Sequence, residues 1–109
     1  MSDAATTVGS LKDAVRAFAD ERDWEKFHTP KNLSMAIAAE VAELMEHFLW
    51  LTGVESQQAC DDPAKRDAIA DELADVTVLV LNFSLRSGID LSEAVRRKMA
   101  KNAVKYPVQ

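Results

Sequence analysis

Two long apolar runs, each carrying a pair of acids three residues apart, restrict this chain more than any other feature. They are Glu40-Val41-Ala42-Glu43 and Glu72-Leu73-Ala74-Asp75. Residues at this spacing share one face of a helix, where like charges cost about 0.2–0.5 kcal/mol per pair. Beside the first pair, Ile37, Val41, Leu44, Phe48 and Leu51 form an inward stripe, with His47 and Trp50 on its shoulder. Beside the second, Ile69, Leu73, Val76, Val80 and Phe83 repeat the layout, flanked by Leu79 and Asn82. Packing the stripes together brings four acids to one end of a groove. Partly buried carboxylates need a counter-charge there or must take up protons.

Around these runs the start and stop signals predict an all-α chain. Residues 1–9 lack periodicity and read as a flexible tail. Ser10 with Asp13 opens a first helix that runs to about Arg22. A short connector, Asp23 to Thr29, carries Trp24, Phe27 and His28. The residues alone allow a hydrophobic plug or a ligand wall, and favour the plug. Thr29-Pro30 caps and starts a second helix that reaches about Leu51 and stops at Gly53. Val54 to Asp61 reads as loop, and Asp62-Pro63 repeats the cap-and-proline start.

The third helix is predicted from Pro63 to about Arg86, ended by Gly88. Val76 to Leu81 resembles a strand locally, but no Gly or Pro separates it from the helical pattern before it. The far side of this helix is apolar too, through Ala74, Val78, Leu81 and Leu85, so it needs a second partner. Another subunit is the expected one. Asp90-Leu91-Ser92-Glu93 opens a basic fourth helix. The expectation is a single domain over 10–109: a four-helix-type bundle with two long central antiparallel helices, oligomerised through the third.

Charge and composition narrow the function. A formal net charge of -5 disfavours nucleic-acid polymers and anionic membranes, though not a small polyanion carried with a divalent cation. The one cysteine, Cys60, lies in the expected loop and excludes an internal disulfide. No basic-then-apolar leader and no membrane-length apolar run is present, so a soluble cytoplasmic protein is expected. Oxygen donors from two helices suit Mg²⁺, or Mn²⁺, rather than zinc. Acid pairs at this spacing are also common on solvated faces, which leaves a non-catalytic helical assembly module as the alternative. A di-iron oxidoreductase would want two Glu-x-x-His pairs, and the chain has only Glu25-x-x-His28, which lies outside both acid-bearing runs.

The blocks Glu40-x-x-Glu43 and Glu72-x-x-Asp75 resemble the signature of MazG-like, all-α nucleoside triphosphate pyrophosphohydrolases. Phe18–Leu33, Glu40–Trp50 and Gly88–Val108 are similar to the dCTP pyrophosphatase branch. Many members double the first acid, whereas Ala39 precedes Glu40 here. The resemblance implies cleavage of a deoxynucleoside triphosphate, dCTP or a modified dCTP, to monophosphate and pyrophosphate in nucleotide-pool sanitation. It also implies that Glu40, Glu43, Glu72 and Asp75 hold Mg²⁺ and that Trp24, His28 and Trp50 wall the base. Lys98, Asn102 and Tyr106 match phosphate or sugar contacts, with Lys31 a further phosphate candidate. It implies a homo-oligomer as well, a tetramer rather than a dimer.

Overall fold

Asp62 and Pro63 open the helix that the rest of the chain packs on. The computed structural model describes all 109 residues. Its helices are α1 (Val8–Glu21), α2 (Pro30–Glu46), α3 (Gly53–Asp61), α4 (Pro63–Ser87) and α5 (Leu91–Lys105), with a 3-10 turn at Glu25–Phe27. The Asp62 side chain accepts from the Ala64 N–H at 3.1 Å, and Gly88 ends α4 in the left-handed region at φ 72. Thr29 caps α2 and Asp90 caps α5 as their sequences predict. The strand-like stretch of α4 is helical throughout.

Helix α4 packs along α2 and also receives α1 and α3. His28, just before α2, meets Asn82, whereas Glu40 and Glu43 meet Glu72. Moving forward along α2 therefore means moving backward along α4. The central pair is antiparallel, as expected.

Three expectations need correction. The first helix starts at Val8 rather than Ser10, because Thr7 is the cap: its Oγ1 accepts from the Ser10 N–H at 3.1 Å. The second helix ends at Glu46, and Phe48 and Leu51 sit half-buried in the turns that follow. Gly53 does not stop a helix but starts one, so Val54–Asp61 is helical and the chain has five α-helices rather than four. The cause is a capping box. Thr52 Oγ1 accepts from the Glu55 N–H at 3.1 Å, and Glu55 Oε1 accepts from the Thr52 N–H at 2.9 Å. Cys60 consequently lies half-buried on α3 rather than in a loop.

The core is thin. Only 6 residues are buried, with Leu33 and Leu81 the large apolar ones. Leu81 belongs to the face of α4 that the sequence assigns to another subunit, so the chain closes that face itself at this point. Val78 on the same face stays exposed, and so do Val41 and Leu73 of the inward stripes. The chain presents 8284 Å² of surface, against about 6,000 Å² for a typical compact monomer of its mass. Its radius of gyration is 16.4 Å, where about 13 Å is usual. Much of the difference lies in α5, which packs extensively on none of the other helices. No helix is long and apolar enough to cross a membrane.

Candidate functional site

At the end of the α2–α4 pair nearer the start of α4, carboxylate oxygens of Glu40, Glu43 and Glu72 lie within 4.8 Å of one another. Glu40 and Glu43 stand one turn apart on α2, and Glu72 faces them from α4. Glu40 Oε2 and Glu72 Oε2 are both enclosed and accept no hydrogen bond. None of the chain's ion pairs involves these acids. The electrostatic result is large. Burial, a hydrogen bond with Glu43, and repulsion from Glu43, Asp75 and Glu72 together push Glu40 from its ordinary value of 4.5 up to about 7. Glu72 is raised as well, by burial first and then by repulsion from Glu43 and Asp75. Asp75 is exposed and outside the tight triangle, close enough to repel both.

Enclosed oxygens without donors, gathered from two helices, are satisfied either by protons or by a divalent cation. The donor set fits such an ion: every group is a hard carboxylate, and no thiol or imidazole stands among the three.

A second polar cluster lies further along the same helix pair. Asp23, at φ 54, turns the chain out of α1, and the Trp24 N–H reaches back to the Ala19 carbonyl at 3.0 Å. Asn32 Nδ2 donates to the Phe27 carbonyl at 3.0 Å and ties the connector to α2. Trp24 stands edge-on to Phe18, with ring centres 5.7 Å apart, and to His28 at 6.4 Å. Asn82 Nδ2 meets His28 Nδ1 at 2.8 Å, and Arg86 reaches Glu25 Oε2 at 3.4 Å. Burial, and then the Arg86 charge, lower the His28 pKa. Trp24 is 43% exposed and Phe27 59%, so the connector does not plug the bundle.

No hydrogen bond or ion pair joins the other named residues to either cluster. Trp50 is 91% exposed on the turn after α2, and Lys31 is exposed in the first turn of α2. Lys98, Asn102 and Tyr106 ride on α5 or at its end, apart from the carboxylates. Arg96 and Arg97 pair with Glu93 on their own helix, whereas Lys98 has no ion-pair partner. His47 is packed half-buried beside Phe48. Sequence reasoning missed Arg86 and the contact from Asn82 to His28. The available signal was an amide inside the most apolar stretch of the chain.

A family model described as MazG-like matches residues 35–109. The chain is 43% identical over 102 residues to dCTP pyrophosphatase 1 of Mus musculus, covering 94% of this chain and 60% of that protein. It is 43% identical over 101 residues to dCTP pyrophosphatase 1 of Homo sapiens, covering 93% and 59%. The chain thus spans about three fifths of the length of these curated relatives. A solved pyrophosphatase structure from Archaeoglobus fulgidus superposes with a TM-score of 0.86 at 40% identity, covering 92% of each chain.

Proposed function

This chain belongs to the MazG-like family, and from that premise we propose that it is a nucleoside triphosphate pyrophosphohydrolase. Its substrate is a deoxynucleoside triphosphate, dCTP or a 5-substituted dCTP, cleaved between the α- and β-phosphates to monophosphate and pyrophosphate. The observation that carries this reading is the triangle of Glu40, Glu43 and Glu72, whose enclosed oxygens have neither donor nor cation within the chain. Glu40, Glu43, Glu72 and Asp75 would hold Mg²⁺. When bound, the ion supplies charge neutralisation at phosphate oxygens and orientation of the attacking water. Without it the acids repel a triphosphate. Trp24 and His28 offer ring faces to the base; Trp50, past the opposite end of α2, would close the wall only from a neighbouring subunit, and Lys31 would be a further phosphate contact.

Assembly belongs to the same proposal. The excess surface of about 2,300 Å² exceeds the roughly 800 Å² that each partner gives to a standard interface, which supports association; a tetramer rather than a dimer is proposed from the family resemblance alone. Association would bring a neighbour's Lys98, Asn102 and Tyr106 to the triphosphate, since α5 stands apart from the acids of its own chain.

The direct test is incubation with dCTP and Mg²⁺, following dCMP and pyrophosphate, across a panel of canonical and 5-substituted triphosphates. Turnover that is lost in Glu43→Gln supports the reading. No turnover above that variant on any triphosphate leaves a helical assembly module.

A further inference from the structure

Between Val76 and Leu85, α4 is the most apolar part of the chain, and it holds a single amide, Asn82, which is 3% exposed. Burying an amide there is costly unless it is bonded. Its Nδ2 meets His28 Nδ1 at 2.8 Å across 54 residues of sequence, and its Oδ1 is enclosed without a partner. Turning the amide over would strand an N–H₂ group instead. Enclosed carbonyl oxygens are tolerated more readily than enclosed N–H donors, so the orientation with Nδ2 toward the ring is the stable one.

That orientation fixes the ring. A donor at Nδ1 requires a lone pair there, which places the ring proton on Nε2. Arg86, pinned by Glu25 at 3.4 Å, sets a positive charge beside His28 and opposes a second ring proton. His28 Nε2 has no hydrogen bond within the chain and is absent from its enclosed, unpaired atoms, so this N–H is open to a ligand. Asn82 also lies two turns beyond Asp75 on the same face of α4, about 10 Å along the axis. A base directed along α4 from a triphosphate on the acids would reach this ring.

We infer that Asn82 and Arg86 are positioning residues that hold His28 as the neutral Nε2–H tautomer, and that this N–H selects cytosine by donating to its N3. Cytosine N3 is an acceptor. Uracil and thymine carry N3–H, so they would set donor against donor at the same place. A substituent at C5 leaves N3 unchanged, so the preference extends to 5-substituted cytosines. The inference rests on the proposed nucleotide site and adds the determinant of its base choice.

The test has two independent arms. In full-length protein labelled with ¹⁵N-histidine, only two histidines contribute, and His47→Gln assigns them. The expected spectrum of His28 shows one tautomer, protonated at Nε2 and bare at Nδ1. Asn82→Asp, which can only accept, should move the proton to Nδ1. A wild-type ring protonated at Nδ1, or averaged between tautomers, overturns the inference.

The second arm is kinetic. Asn82→Leu should lower the dCTP-over-dUTP ratio of kcat/KM about tenfold, through KM for dCTP, with kcat within about twofold. Wild-type enzyme should lose a similar factor on 3-deaza-dCTP, which lacks the N3 acceptor, and Asn82→Leu should not distinguish it from dCTP. Full retention of activity on 3-deaza-dCTP, or unchanged selectivity in Asn82→Leu, makes the pair structural and overturns the base-reading role. If no triphosphate is turned over, the proposed function fails and base reading falls with it. The spectrum of the free protein still decides the tautomer.

Discussion

The two polar clusters on the α2–α4 pair share a scaffold and differ in how their polar groups are satisfied. At Glu40, Glu43 and Glu72 every member is an acid, and each raises the cost of ionising its neighbours. At His28 and Asn82 the groups are complementary, and Arg86 brings its own counter-charge in Glu25. Each cluster leaves two enclosed atoms unpaired, Glu40 Oε2 and Glu72 Oε2 in the first and Asn82 Oδ1 and Arg86 Nε in the second, but only the first has no counter-charge within the chain. Helix pairing alone explains neither. The difference is that the first cluster concentrates one sign of charge, whereas the second balances opposite charges around a ring.

Removing an acid is the harshest way to break this contrast. Glu43→Gln or Asp75→Asn should cut Mg²⁺-dependent hydrolysis about a thousandfold, as expected for a preorganised charge-stabilising group. The helical circular dichroism should be unchanged, because neither residue is buried. Equal turnover in both variants would remove these acids from the metal site.

Charging the exposed face of α4 comes next. Val78→Asp should reduce the mass measured by light scattering toward the 12.0 kDa chain, with activity falling in step if α5 acts across the interface. An unchanged mass would place the interface elsewhere.

The pH response separates the clusters more finely. The folded value of Glu40, about 7, lies above its ordinary 4.5, so the folded state binds protons more tightly than the unfolded chain. Its contribution to stability is complete below pH 4.5 and is lost as pH rises through 7. If Mg²⁺ replaces the proton as counter-charge, its stabilisation of the fold should be greater at pH 8 than at pH 5. Thermal melts with and without Mg²⁺ at the two pH values measure this. Equal metal-induced shifts would show that the acids do not bind the ion together.

The smallest effect should come from the capping box, remote from both clusters. Thr52→Ala should cost about 1 kcal/mol in denaturant unfolding and leave KM for dCTP unaltered.

Much of this was legible in local chemistry. Thr29-Pro30, Asp62-Pro63, Gly88 and Asp90 each announce a helix boundary through their own backbone preferences, and all four act at their expected places. The acid pairs were legible because i,i+3 spacing fixes a shared face whatever the tertiary fold. Gly53 misled because glycine fits a helix stop and a helix start alike, and Thr52-x-x-Glu55 was the deciding signal. The turn at His47–Leu51 stands where the end of the second helix was expected. The His28–Asn82 contact joins positions 54 residues apart, and no local preference encodes it. The placement of α5 was equally hidden, since its amphipathic pattern shows that it wants a partner without showing which one.

Six enclosed residues out of 109 give this chain little with which to hold itself together. If the chain assembles as proposed, association and folding become one equilibrium governed by mass action, and resistance to heat should rise with protein concentration. Dilution would erode the fold and the catalytic centre at the same time.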